Sequence, residues 1–385
     1  MSPAARIYAD YNATAPLRPE AKAAMTAALD LTGNPSSVHA EGRKARGLVE
    51  GARETIAAAI GACRDDIAFT SGGTEAVGLA LRGALRATGD AVLVASGIEH
   101  EAVATIVTGD EIWPVRSHGL VDLGWLKDHV ARLKRQGYRP LVSLMLVNNE
   151  TGVVQPVAEA AEIVHAAGGL IHCDAVQALG KIEVSIIETD VDYLSLSAHK
   201  VGGPQGVGAT YVKPGAPFRS VQTGGGQEFG RRAGTENVAG IVGFAAAAEA
   251  SLRDLDHYVS LAPHRDRLEA RVSAAAPGLQ VHGALAPRVA GVSCFGVEGL
   301  PSETQIMGLD LAGFAVSAGS ACSSGKVKPS RVLTAMGLGE TAARSAIRAS
   351  FGWASRPEDF DAIAAAWVKM ARRARPNLVK EDANV

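Results

Sequence analysis

Lys200 sits in the run Ser195-Leu196-Ser197-Ala198-His199-Lys200-Val201-Gly202-Gly203-Pro204, between two stretches, 191–194 and 206–212, that read as buried strands. An amine in apolar surroundings loses proton affinity and becomes a nucleophile, the condition a Schiff-base lysine requires. The same lysine at a loop tip, with its ammonium in water, would have no such role. Ser197 and His199 are placed to hold an anion or a ring beside it. His100 follows the buried strand 91–95, and Asp174 closes the strand that begins at 170. Cys322 lies among small residues in Gly319-Ser320-Ala321-Cys322-Ser323-Ser324-Gly325, with Lys326 and Lys328 close behind. Exposure and neighbouring cations favour a thiolate, whereas most free cysteines are buried and inert. Arg348, in the strand-like stretch 343–351, offers a planar fork that suits a carboxylate.

The elements that must position these groups alternate in type. Pro19 opens a helix over 20–29, and a second, amphipathic helix covers 42–60. A strand at 66–70 runs into Ser71-Gly72-Gly73-Thr74-Glu75-Ala76 and a helix over 77–85. A strand, a glycine turn and a helix amino terminus make an anion site, because free N–H groups and the helix dipole both favour negative charge. Simple capping by Ser71 or Thr74 is the plainer alternative. No GK[ST] follows, so this is not a Walker loop. A strand over 141–147 ends in Asn148-Asn149-Glu150-Thr151-Gly152, and a helix over 157–167 leads to the strand closed by Asp174. That carboxylate would either pair with a protonated ring nitrogen or cap a helix. Polar residues at the carboxyl ends of alternating strands predict an open, mostly parallel α/β sheet. The glycine-rich run 222–237 brings Arg231, Arg232 and Thr235 within reach of an anion, unless it is only a solvated basic turn. A charged helix over 254–275 then leads to a smaller unit with strands at 289–297 and 314–317 and a final helix over 357–374.

With 385 residues, two domains are expected. A chain that is 47% hydrophobic and 20% charged, with net charge −2, is globular and has no electrostatic case for nucleic acid or an anionic membrane. The four cysteines, Cys63, Cys173, Cys294 and Cys322, form no CxxC pair, which argues against a metal knuckle or disulfide framework and for a reducing cytoplasm. The first residues lack an apolar signal region, and no run is long enough to span a bilayer.

Taken together, Ser197-Ala198-His199-Lys200, Gly224-Gly225-Gly226-Gln227-Glu228 with Arg231-Arg232-Ala233-Gly234-Thr235-Glu236-Asn237, and Gly319-Ser320-Ala321-Cys322 resemble the cysteine desulfurases of the NifS/IscS type, within the class V aminotransferase group. The resemblance runs over nearly the whole chain, and the form of the loop around Cys322 is similar to the NifS/IscS rather than the SufS branch. It implies an α/β protein of the pyridoxal 5'-phosphate (PLP) fold type I. The large domain, 14–255, would carry a mostly parallel mixed sheet flanked by helices, and the smaller α+β domain would comprise 1–13 and 256–385. It implies that Lys200 holds PLP as a Schiff base and shuttles a proton, that Asp174 pairs with the ring nitrogen, that His100 stacks on the ring and that Gln177 hydrogen-bonds the ring oxygen. Gly73, Thr74, Ser197 and His199 would hold the phosphate, with Thr235 supplied by the partner subunit of a homodimer. Asn12, Ala13, Asn149 and Arg348 would hold the substrate, L-cysteine, and Cys322 would take its sulfur and pass it to an acceptor such as an iron–sulfur scaffold protein. Ala15, Gly202, Gln205 and Phe229 depart from the family pattern without removing any of these roles. The alternatives are another class V PLP enzyme, a transaminase or selenocysteine lyase, or a non-catalytic PLP-binding scaffold. A transaminase has no use for Cys322.

Overall fold

The computed structural model describes residues 6–107, 111–319 and 329–380, so Cys322 and the loop around it lie outside the described residues. The strands in chain order are β1 (Ile7–Tyr8), β2 (Ile67–Thr70), β3 (Ala91–Ser96), β4 (Ile112–Trp113), β5 (Arg139–Met145), β6 (Leu170–Asp174), β7 (Tyr193–Ser197) and β8 (Gly208–Val212). They continue with β9 (Leu279–Val281), β10 (Val292–Val297), β11 (Phe314–Ala315), β12 (Ser317–Ala318) and β13 (Ala346–Ser350).

Seven strands form one sheet in the order β2-β8-β7-β6-β5-β3-β4. Only β8 runs against its neighbours; the pairs among β3, β4, β5, β6 and β7 are all parallel. The mostly parallel mixed sheet read from the sequence is therefore present. Its central strands are near-continuous apolar runs, such as Leu141, Val142 and Leu144 or Ile171 and Cys173, because helices cover both faces and neither meets water. The imidazole of His172 is tolerated there because both its ring nitrogens are satisfied. His172 lies between the Ser143 hydroxyl at 2.9 Å and the Ser195 hydroxyl at 2.8 Å, and burial lowers its pKa to about 3, so it stays neutral. It ties β5, β6 and β7 together directly beneath the end of β6.

A second, antiparallel sheet has the order β12-β13-β10-β9, and β1 pairs in parallel with β11 beside it. This brings the residues just after β1, Asp10 to Ala13, against the end of β13, where the Tyr11 N–H donates to Ser350 O and the Asn12 N–H to Ser350 Oγ. Two elements differ from expectation in a way that matters. The helix after β2 spans Gly73–Thr88, so its amino terminus is at the glycines and not at 77. The charged helix expected over 254–275 is two helices, Leu255–Val259 and Ala262–Ala275. Pro263 lies in the first turn of the second, where its missing N–H costs nothing; within one continuous helix it would remove a hydrogen bond. The helices Leu123–Arg135 and Ser302–Leu311 were not anticipated. No helix among the described residues is long and apolar enough to cross a membrane.

Candidate active site

The carboxyl ends of β3, β5, β6 and β7 open on a cavity of about 370 Å³, closed on its far side by residues from the second sheet. Lys200, His100, Gly73, Thr74, Asp174, Gln177, Ser197, His199, Asn12, Ala13, Asn149 and Arg348 all border it. Of the described residues named from the sequence for this site, Thr235 is not among the lining, nor are Arg231 and Arg232, which are turned to Asp65 O and the Glu75 carboxylate instead. Thr235 faces a separate cavity of about 80 Å³ with Ser71, Glu228 and Arg232, so this chain's own Thr235 is not brought to Lys200. Cys322 lies outside the described residues.

Lys200 closes the single turn Ala198–Lys200 that follows β7. Its Nζ donates to the main-chain oxygens of Asn12 at 2.7 Å and Ala13 at 2.8 Å. Burial, and then the nearby Arg348 guanidinium, bring its pKa down to about 8, with Asp10 and Asp174 pulling the other way. The amine is thus held by carbonyl dipoles rather than by a carboxylate, and it loses its proton far more readily than a lysine in water.

Beside it lies an anion cradle. Gly72 has φ 152°, in a region open chiefly to glycine, and it starts the helix Gly73–Thr88 with no side-chain cap. The first-turn N–H groups of a helix have no intrahelical partner, and the helix dipole adds partial positive charge to them. The plain capping role weighed for Ser71 and Thr74 is therefore not the observed one. Ser197 Oγ is buried in the same place with no hydrogen-bond partner among the described residues. A side chain at Gly73 would press on Val176 Cγ2 at 2.9 Å and on Ser197 Cβ at 3.3 Å, so glycine keeps this corner open. His199 adds an imidazole whose Nδ1 lies 3.2 Å from Thr14 Oγ1. Burial and Lys200 lower its pKa to about 4, so it is a neutral ring here.

Asp174 is 5% exposed and accepts from the Val176 N–H at 3.0 Å. Burial raises its pKa, partly offset by that hydrogen bond and by His100 and Lys200. His100 accepts from the Ala102 N–H through Nδ1 at 3.1 Å, which leaves Nε2 to carry the proton in its neutral form. Directly before His100 in the chain, and also lining the cavity, is a residue not singled out from the sequence. Glu99 accepts at Oε1 from the Ser96 hydroxyl at 2.7 Å and from the Met145 N–H at 2.8 Å, while its Oε2 is buried without a partner among the described residues. Burial raises its pKa to about 8, and Asp174 reinforces the shift. Its signal in the sequence was a carboxylate directly before His100, three residues past a buried strand.

The Arg348 fork is not free, contrary to the simplest reading of its role. One arm donates to Asp10 Oδ1 at 2.8 Å and the other to Asn149 O at 2.9 Å, while its Nε is buried and unpartnered among the described residues. Asp10 in turn accepts from the Ser317 hydroxyl at 2.6 Å. Arg348 therefore clamps the stretch after β1 to the loop after β5 and still borders the cavity. Glu150, also missed, is buried next to it and accepts from the Ser330 hydroxyl; a side chain at Gly319 would run into its carboxylate.

An α/β sheet with a nucleophilic lysine, an anion cradle and a buried carboxylate around one cavity is an arrangement suited to holding a phosphorylated aromatic aldehyde. The aminotransferase class-V family model matches residues 7–363, and the chain belongs to that family. Among its relatives, a cysteine desulfurase of Cereibacter sphaeroides is 44% identical over 364 residues, covering 92% of each chain. The cysteine desulfurase IscS of Dictyoglomus turgidum is 39% identical over 366 residues, again covering 92% of each. The solved NifS-like protein from Rickettsia africae matches with a TM-score of 0.86 at 31% identity, covering 95% of this chain and 99% of that one.

Proposed function

We propose that this chain is a PLP-dependent L-cysteine desulfurase, converting cysteine to alanine and a persulfide on Cys322. The observation that carries the cofactor reading is the pair formed by the deprotonatable Lys200 amine and the Ser197 hydroxyl, which has no partner among the described residues, at a helix start with no side-chain cap, both bordering one cavity. The residues present fit PLP. The free first-turn N–H groups with Thr74, Ser197 and His199 suit its phosphate, and Gly73 leaves the room. Burial raises the pKa of Asp174, and a ring N–H⁺ beside it would favour the charged carboxylate.

When bound, PLP withdraws electrons from the substrate's Cα and so loosens the bonds around it. Lys200, with its pKa near 8, takes the proton from Cα and returns it later in the turnover. The His100 ring, held by the Ala102 N–H at the cavity wall, would stack on the cofactor ring. Asn149 and Arg348 receive the substrate carboxylate, using the guanidinium hydrogens not spent on Asp10 and on the Asn149 main chain. Cys322 thiolate attacks the substrate sulfur; the new S–S bond forms as the carbon–sulfur bond breaks, and the electron pair and a proton go to the carbon that becomes the alanine methyl. Sulfur chemistry over amine transfer is supported by Cys322 itself and by the desulfurase names of the relatives.

In this reading the chain divides at 13/14 and 255/256 into the two domains expected from the sequence. It works as a homodimer, in which Thr235 of the partner subunit completes the phosphate site. Cys322 delivers sulfur to an acceptor protein in the cytoplasm, such as an iron–sulfur scaffold. The direct test is Lys200→Ala. The wild type should be yellow and borohydride should fix the cofactor on Lys200, while the variant should lose the covalent link and the turnover. An unchanged visible band and activity in the variant would overturn the proposal.

A further inference from the structure

Lys181 is a buried amine that takes no part in the roles above. It follows Gly180 in the turn after β6 and is 5% exposed. Its Nζ donates to Gln177 Oε1 at 2.5 Å and to Asn12 Oδ1 at 2.7 Å. Both acceptors belong to residues that line the main cavity, whereas Lys181 stands behind them. Among the described residues no carboxylate accepts from this amine. Burial, then the charges of Lys200 and Arg348, push its pKa well down. A buried amine with no carboxylate beside it is costly in its charged form, so it calls for an explanation.

The explanation lies in what an amine can and cannot do. A lysine ammonium donates and never accepts, and even a neutral amine has hydrogens for two acceptors. An amide side chain has an oxygen end and an NH₂ end of nearly the same size but opposite hydrogen-bonding character. Facing an amine that donates to both of them, each amide turns its oxygen inward and its NH₂ away. The other contacts agree with that orientation. Gln177 Nε2 donates to Asn12 O at 2.9 Å, and Asn12 Nδ2 donates to Asn149 O at 2.9 Å. Asn12 O is also the acceptor of Lys200 Nζ, and Asn149 O is the acceptor of Arg348. Lys181 thus stands at the root of a chain of hydrogen bonds that reaches both Lys200 and Arg348. The Gln177 NH₂ spends one hydrogen on Asn12 O and keeps the other.

We propose that Lys181 is a positioning residue that fixes the Gln177 amide with its Nε2–H toward the ring oxygen of the bound cofactor and holds Asn12 as the rigid support of Lys200. This rests on the PLP reading above. Without Lys181 only the contact to Asn12 O holds the Gln177 amide, and once turned over its oxygen would face the ring oxygen as acceptor against acceptor. The negative charge on the ring oxygen then loses its donor, and the bound cofactor holds its proton to higher pH.

The test uses full-length protein stripped of PLP and reloaded, reading the pH midpoint of the visible band and the PLP dissociation constant. Lys181→Met keeps length and apolar volume but has no donor. It should raise the midpoint by about one pH unit and weaken PLP by about tenfold, the worth of one hydrogen bond to a charged group. In a Gln177→Leu background the same change should move the midpoint by less than about a third of that, because neighbours acting through one group are not additive. A wild-type midpoint in folded Lys181→Met, or full additivity with Gln177→Leu, overturns the proposal. Should Lys181→Met not fold, Gln177→Glu decides in a protein that keeps Lys181. The proposal requires a raised midpoint there, since a donor is replaced by an acceptor, and an unchanged one refutes it. A wild type that takes up PLP without any visible band overturns the cofactor reading as well, which separates the two failures.

Discussion

Removing the Ser197 hydroxyl should act with opposite sign on the empty and the loaded protein. Ser197 Oγ is buried, 3% of the residue being exposed, and it has no hydrogen-bond partner among the described residues. A hydroxyl buried in that state costs about 1–3 kcal/mol, so Ser197→Ala should leave the cofactor-free protein as stable as before or more stable by about 1 kcal/mol. The change removes no packing atom other than the oxygen. With a phosphate in the cradle the same oxygen becomes a donor to an anion, worth about 1.5–3 kcal/mol, so PLP should bind about 10- to 100-fold more weakly. Urea denaturation of the cofactor-free protein gives the first number. Titration of that protein with PLP, followed at the visible band, gives the second. Lower stability of the empty variant together with unchanged PLP affinity would refute the reasoning, for it would make Ser197 a structural hydroxyl at the end of β7. Inorganic phosphate should show the same loss at lower affinity, since only the cradle is being tested.

Further outcomes follow from the neighbouring groups. Arg348→Lys keeps the charge but cannot serve Asp10, Asn149 and a substrate carboxylate together; kcat/KM for cysteine should fall about 10- to 100-fold, and unaltered kinetics would reduce Arg348 to a clamp. Glu99, with its pKa raised to about 8, keeps in the folded state a proton that the unfolded chain releases near pH 4.5. The folded state therefore binds more protons across that window, and its stability falls as pH rises from about 4.5 to 8, by up to about 1.4 kcal/mol per pH unit. Glu99→Gln should match wild type at pH 5 and have the higher urea midpoint at pH 8.5 in the cofactor-free protein; a gap that does not change with pH would show that Glu99 titrates normally.

The sequence made the strand ends legible because chemistry and pattern coincide there. Lys200, Asp174 and His100 each terminate an apolar run, and a polar residue in that place of a parallel sheet has few other uses. The glycine turn at Gly72 and Gly73 was readable as an anion site, but its central feature, a helix start with no side-chain cap beside a hydroxyl that has no partner among the described residues, needed three dimensions. Glu99, Glu150 and Lys181 were not singled out because each is an ordinary charged residue next to a residue with a more obvious role. What sets them apart is burial, and burial of a single charge has no local pattern. Asp10 was hidden for another reason: its partner Arg348 lies at the other end of the chain, and the two meet only because β1 joins β11 beside the second sheet. The helix Leu123–Arg135 could have been found, since Leu126, Val130 and Leu133 form a buried stripe and Asp122 caps it. The break at Pro263 was likewise visible as a proline within a charged run.

The central claim is that the PLP machinery around Lys200 serves a thiolate at Cys322. Mass spectrometry of the protein after brief exposure to cysteine tests it most directly, with Cys322→Ala in parallel. The extra sulfur should sit on the peptide that contains Cys322. The variant should remain yellow and change its spectrum with cysteine, yet form essentially no alanine. Sulfur found on Cys63, Cys173 or Cys294, or normal alanine formation by Cys322→Ala, would contradict the account.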